Sequence, residues 1–494
     1  MAKNIIISTL IIVLFGCDPD TTDSPAPEDV FVKFHGNAGV TSVIDFLLHP
    51  DPNNDGYVIF GSTDSQVMKT DIDDTDTDFL LIFTDNQGNE IDNGRISYDA
   101  GPENNAVPKK IISTQDGGFL MVGSVDILIN GTDSIINANN QTERFDFINE
   151  PVTRAFVQKV DANGAHQWNF IYPSDVNLVA ASTSLFRDDA VPSSEIANGV
   201  IQASDGNFIL IGRSTQVNIQ KPDFGDGTTD VADIWVLKFD QAGIQITETG
   251  EASGIIFERR LGFPGEDEGI DIFERSDGQL TMIGNGEGET NENGKDILYV
   301  TSDANAFNNN FQEYGTLEDD IVTSVELLSD NGVAVVGYTQ SQGDKTIVAR
   351  FNSVGTEEFF KTIELNQREA FDSNDSRSQI EWSGTHRGHG ITQMQNGSFA
   401  IVGQLDNVSV TDNTIANASS ADRGSDMLFF TINGFGEISP NSVQRQFGGT
   451  QDNDVGIAVR HLIDGRFVLV GNMDLVDGDM ITIIKTNSRG NITR

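Results

Sequence analysis

The sequence predicts an all-β fold, a seven-bladed β-propeller of four-stranded antiparallel blades, closed by an N-terminal strand that completes the last blade. Three observations carry that expectation. A turn of Asp or Asn with Gly followed by an apolar run recurs seven times, as DGYVIFG from Asp55, DGGFLMVG from Asp116, DGNFILIG from Asp205, DGQLTMIG from Asp277, DNGVAVVG from Asp330, QNGSFAIVG from Gln395 and DGRFVLVG from Asp464. Each copy is followed by a second apolar run, such as DFLLIFT from Asp78, DIWVLKF from Asp233 or DMITIIK from Asp479. Finally, VFVKFHGNAG from Val30 matches the fourth-strand position of other units, such as SVQRQFGGTQDN from Ser442, yet stands before the first hairpin.

Within one unit the residues explain the elements in order. Asp, Asn and Gly supply the left-handed conformations of a tight hairpin, and the apolar run after them suits a buried strand, with the closing Gly expected to end it. Behind the next strand come turns of Asp or Asn, two residues and Gly, from Asp85 to Gly88, Asp161 to Gly164, Asp240 to Gly243, Asn352 to Gly355, Asn433 to Gly436 and Asn487 to Gly490. Blade four departs, with Asp303 to Ala306. Weaker strands precede the DG turn, as in GIAVRHLI from Gly456, and follow the second turn, as in QWNFIY from Gln167. No amphipathic helical stretch intervenes, which is the pattern of propeller blades. Because the last unit reaches its third strand at Asp479 and runs out at Arg494, residues Val30 to Phe34 are expected to complete blade seven and protect its edge.

Residues 1–16 and 17–29 stand apart from this unit of 30–494. Lys3, an apolar run from Ile5 to Phe15 and then Leu14-Phe15-Gly16-Cys17 resemble a bacterial lipoprotein signal with its lipobox. The run is too short to span a bilayer, and the resemblance implies acylation of Cys17 after cleavage. Residues 17–29, CDPDTTDSPAPED, read as an acidic flexible tether. Acids directly behind the Cys resemble the signal that sends lipoproteins of Bacteroidota-type bacteria to the outer face of the outer membrane; a periplasm-facing anchor is the alternative. Either way the first expected partner is a membrane, through lipid.

Cys17 is the only cysteine, so neither a disulfide nor a thiolate metal site is available. Asp and Glu outnumber Lys and Arg by 75 to 30, giving a net charge of −45 that argues against nucleic acid as a partner. In a meander, the DG and Asp-x-x-Gly turns share one end of the blade, and the remaining connections share the other. The latter are long, variable and acidic, so binding is expected at that end, with crossover acids Glu266, Asp267, Glu318, Asp319, Asp452 and Asp454 as the candidates.

Other chemistry is thin. Asp51, Asn53 and Asp55 alternate before Gly56 as in a calcium loop, but Ser62 stands where an EF-hand needs Glu, and Asp55-Gly56 is already a blade turn. Calcium is therefore the one cofactor the sequence raises. His386 and His389 of THRGHG are expected in the crossover ahead of blade six, as loop residues. Nucleophile elbows, phosphate-cradling Gly loops and HExxH motifs do not occur, and Trp235 reads as core.

DIWVLKFDQAG at Asp233, QDGGFLMVG at Gln115 and FGGTQDND at Phe447 resemble a bacterial propeller family with DGG-type repeats, and the match covers Val30 to Arg494. Its members are commonly surface or secreted proteins of Bacteroidota-type bacteria without an assigned reaction. The resemblance implies fold more than function, since propellers host unrelated activities. Two functions remain: a binding or scaffolding module for a protein or glycan ligand, favoured by the absence of catalytic motifs, and a carbohydrate-active or oxidative enzyme with acids at the central mouth.

Overall fold

A computed structural model describes residues 30–492 except 37–40, 50–55, 65–75, 102–103, 137–141, 173–193, 216–231, 247–251, 264, 289–293, 341–342, 366–384, 407–423, 440–441, 449–452 and 476–477, and the backbone alone for 129–136, 142–150, 246, 252 and 478. Cys17, the tether, Asp51, Asn53, Asp55 and Asp452 lie outside the described residues.

Seven four-stranded antiparallel sheets form the expected propeller. Blade one contains Thr41–Leu48, Tyr57–Thr63, Asp78–Thr84 and Glu90–Tyr98 in that order. The innermost strands of blades two to seven are Asn105–Ser113, Glu195–Gln202, Asp267–Glu274, Asp320–Leu327, His386–Gln393 and Val455–His461. The third strands Asp78–Thr84 and Asp233–Phe239 are buried along their whole length. A blade is covered on both faces by its neighbours, which is why these strands are continuous apolar runs and not alternating ones. The core is correspondingly divided into seven apolar clusters, one between each pair of adjacent blades. One blade contact also carries charge: Arg154 of blade two and Glu195 of blade three pair at 2.8 Å, each side chain 1% exposed.

The ring closes as the sequence implied. Phe31–His35 pairs antiparallel with Gly478–Thr486 as the outer strand of blade seven. Its side chains repeat what outer strands do elsewhere. In the Asp161 turn, Asp161 Oδ1 accepts hydrogen bonds from the Asn163 and Ala165 amides, both at 2.8 Å, and Gly164 takes φ +81°. Tyr98, from the outer strand of the preceding blade, donates its hydroxyl to the Gly164 carbonyl at 2.6 Å. Trp168 occupies the same place against Gly243, Phe359 against Gly436, and Phe31 against Gly88. Phe31 thus joins blade seven to blade one as Trp168 joins blade two to blade three. The departure in blade four is absorbed by Ala306, which holds the left-handed conformation at φ +53°.

The DG turns are alike. Gly117 N–H donates to the Thr114 carbonyl, Thr114 N–H donates to the Gly118 carbonyl, and Asp116 Oδ1 accepts from the Gly118 amide at 3.1 Å. The turns 203–207, 275–279, 328–332, 394–398 and 462–466 repeat this bonding. Such three-to-five hairpin turns need one residue at positive φ, filled by Gly in each case except Asn331.

The closing Gly of the repeat has a role different from the expected one. It does not end the strand but sits within it, and Gly61, Gly123, Gly212, Gly284, Gly337, Gly403 and Gly471 all face a β-bulge in the innermost strand. A Cβ at any of them would overlap a backbone oxygen of that strand, for example the Ile196 carbonyl opposite Gly212. Glycine is needed because the bulged strand approaches too closely for any side chain.

Candidate functional site

Each bulge leaves one residue of the innermost strand unpaired, and the seven are Ile44, Lys109, Asn198, Ile270, Thr323, His389 and Ile457. All seven line one cavity of about 470 Å³ in the central channel. A β-bulge re-aims a side chain, and here one device applied seven times turns one side chain per blade toward the axis.

Beyond these residues the channel holds a mixed-charge cluster. Lys110 Nζ lies 3.2 Å from Asp271 Oδ2, a pair that joins blade two to blade four across the channel. Arg460 of blade seven donates to Asp45 Oδ1 of blade one at 3.1 Å and to the Phe46 carbonyl at 3.2 Å, its guanidinium standing over the Phe46 ring. Burial raises Asp271 above the ordinary carboxylate range and Lys110 opposes that; Asp271 in turn holds Lys110 charged. Glu326 is also raised by burial, with Arg460 and Lys110 opposing. Its nearest side-chain donor is the Thr392 hydroxyl at 3.4 Å. Among the described residues, buried Asp45 Oδ2 and His389 Nε2 have no hydrogen-bond partner.

The lining is also ordered by polarity. Asn198 donates to Glu268 at 2.7 Å and to the Gly269 carbonyl at 2.9 Å, and Thr323 donates to the Gly388 carbonyl at 2.7 Å. Ile44, Ile270 and Ile457 place apolar surface among these polar groups. The lining contains the acids Asp45, Glu268, Asp271 and Glu326 against the bases Lys109, Lys110 and Arg460. It is therefore close to balanced in a chain of net charge −45.

The histidines correct the expectation that HRGHG is a crossover, because His386–Gln393 is the innermost strand of blade six. His386 is buried and Nδ1 accepts from the Thr346 amide at 3.1 Å. His389 lines the channel, and burial together with Arg387 pushes its pKa down to about 4, so it is a neutral imidazole at pH 7.

The five crossover acids among the described residues have separate fates. Glu266 is ion-paired with Lys295 at 3.0 Å and Arg213 at 3.2 Å, and the Lys295 hydrogen bond holds it below the usual carboxylate range. Asp267 is buried and accepts from the Phe263 amide, while Asp454 is buried and accepts from the Asp474 amide at 3.0 Å. Asp267 fastens the loop ahead of it to the start of an inner strand, Asp454 ties the start of another inner strand to the end of its neighbour Phe467–Leu475, and both are buried, which corrects their expected place on an open face. Asp319 accepts from the Lys295 amide at 2.8 Å, and Glu318 is exposed. Among the described residues, no group of three metal-ligating side chains stands together.

The channel residues went unrecognised because they share no chemistry. Their signal was positional: the interval from Lys109 to Gly123 recurs from Asn198 to Gly212, Ile270 to Gly284, Thr323 to Gly337, His389 to Gly403 and Ile457 to Gly471.

No protein-family model matches the chain, and no curated protein matches it in sequence. Among solved structures it is similar to a Trypanosoma rangeli sialidase mutant displaying trans-sialidase activity, at 10% identity and TM-score 0.37, covering 82% of this chain and 56% of that one. The chain thus spans little more than half the length of that sialidase. An ulvan lyase of a polysaccharide lyase family is similar at 10% identity and TM-score 0.43, covering 94% of this chain and 98% of the other. A Streptococcus pneumoniae sialidase matches at 8% identity and TM-score 0.37, over 87% and 83% of the two chains.

Proposed function

We propose that this protein is a binding or scaffolding propeller, anchored to the outer membrane through lipid on Cys17, displayed at the cell surface on the 17–29 tether and offering its loop-rich end and channel mouth to a protein or glycan ligand. The observation that carries the binding reading is the contrast within each blade. Turn residues repeat, whereas the bulge residue aimed into the channel varies, being Ile in three blades and Lys, Asn, Thr and His in the other four. Varied chemistry on an invariant ring is how a scaffold carries recognition. Rim acids Glu266 and Glu268 are engaged with Lys295, Arg213 and Asn198, which favours a preorganised surface over a reacting one.

A carbohydrate-active enzyme is the second reading, favoured by one observation: Glu326, raised by burial, shares the channel with a second carboxyl, Asp45, and paired carboxyls in unlike surroundings are how glycosidases divide acid and base roles. One set of experiments decides between them. Cys17→Ala should move the protein out of the membrane fraction, and protease added to intact cells should cleave the parent protein; retention or full protection would remove anchoring or display. Cross-linking on intact cells should recover a partner that is lost when the 215–232 and 406–425 connections are shortened. Equal recovery by the shortened protein, or release of product from a polysaccharide panel that stops with Glu326→Gln, would overturn the binding reading.

A further inference from the structure

We propose that the central channel is a binding site for a small organic ammonium ion, a protonated amine carried on a compact apolar body. The inference deepens the binding reading by naming a ligand chemistry for the channel, and it starts from the balance of the buried cluster. The lining carries four carboxyls, Asp45, Glu268, Asp271 and Glu326, against three cations, Lys109, Lys110 and Arg460, and Glu268 is engaged by the Asn198 amide. Lys110 is taken by Asp271 at 3.2 Å and Arg460 by Asp45 at 3.1 Å. Among the described residues Glu326 has no ion-pair partner of its own; it accepts a hydrogen bond from the Gln393 backbone and a long one, at 3.4 Å, from the Thr392 hydroxyl.

An uncompensated carboxyl in a confined channel favours whatever cation can reach it. Among the described residues, Asp45 Oδ2, on a residue only 6% exposed, is an acceptor left without a donor. An ammonium group brings three N–H donors to a lining with such acceptors. In the same lining, Ile44, Ile270 and Ile457 offer apolar surface to the ligand's body, together with the hydroxyl residues Thr323 and Ser324. The cavity, about 470 Å³, falls in the size range of small-molecule sites. The net charge of −45 concentrates cations around the whole molecule and repels carboxylate ligands. His389 stays neutral at pH 7 and adds no competing positive charge, its Nε2 being a further polar atom with no partner in the lining.

The test is calorimetric titration of the full-length protein in detergent with n-hexylammonium chloride at pH 7.5 and constant ionic strength. Binding at millimolar or lower concentration is expected, with a raised melting temperature and no response to hexanoate. Glu326→Gln, nearly isosteric, should weaken binding at least tenfold while its ligand-free melting temperature stays close to the parent's. Ile457→Asn should lower hexylammonium affinity without creating affinity for inorganic ammonium. No heat from hexylammonium, an equal response to potassium or inorganic ammonium chloride, or undiminished binding by Glu326→Gln would each overturn the proposal. Membrane fractionation and surface cross-linking remain unaffected by any of these results, so the failure of this inference is separable from failure of the binding function.

Discussion

The DG turns and the channel wall belong to the same hairpins, a few residues apart, and they behave in opposite ways. Asp116, Asp205, Asp277, Asp330, Asn396 and Asp464 accept the same amide bond in the same turn. Ile44, Lys109, Asn198, Ile270, Thr323, His389 and Ile457 occupy equivalent backbone positions with apolar, basic, amide, hydroxyl and imidazole side chains. A turn must satisfy its own backbone donors and acceptors within five residues, so its chemistry is constrained. A side chain lining the channel has no turn of its own to satisfy, so its chemistry can vary, even where it also bonds a neighbouring inner strand as Asn198 and Thr323 do.

That contrast can be broken from the largest effect downward. Gly337→Ala drives a Cβ into the Ile321 carbonyl opposite the bulge, and should cost about 3 kcal/mol or more in chemical denaturation. A loss below about 1 kcal/mol would mean the bulge is dispensable. Phe31→Ala removes the ring that packs on Gly88 and stands 6.4 Å from Tyr57, and should cost about 2 kcal/mol. If the melt is unchanged, the N-terminal strand does not close the ring. Asp116→Ala, which takes the acceptor from Gly118, should cost about 1 kcal/mol, and Asp205→Ala a similar amount.

A smaller effect concerns pH. Asp296, beside the outer connections of blade four, is held up at about 6 by burial and by Asp320, Glu313 and Asp319. Its folded pKa lies above the unfolded value of 3.8, so its contribution to stability is complete below pH 3.8 and is lost as pH rises through about 6. Asp296→Asn should therefore flatten the fall in melting temperature between pH 4 and pH 7. A pH profile parallel to the parent's would show that solvent screens the group. The smallest effect is expected in the channel: Lys109→Ser and Ile457→Thr should each change stability by no more than about 0.5 kcal/mol. Losses as large as those in the turns would erase the distinction between wall and turn.

Much of the architecture was legible because its causes are local. Asp-Gly and Asp-x-x-Gly turns reveal themselves by residues that must accept backbone bonds or adopt positive φ, and fully covered strands reveal themselves as unbroken apolar runs. Closure was legible too, because an outer strand ahead of the first hairpin has nowhere else to pair. The candidate site was harder. Crossover acids drew attention by charge, yet Asp267 and Asp454 are buried acceptors for backbone amides and Glu266 is held between Lys295 and Arg213. His386 and His389 were misplaced because HRGHG looks like a Gly-rich connection, whereas Gly388 and Gly390 flank the bulge itself.

Residue order was enough to specify the number of blades, the turns and the strand that shuts the ring, since each rests on bonds made within one hairpin or on one unpaired edge. The meaning of the closing glycine, the pairing of Lys110 with Asp271 across the channel and the unmatched carboxyl of Glu326 emerged only on folding. A bulge exists only when two strands pair out of step, and a channel only when seven such strands, far apart in sequence, are brought around one axis.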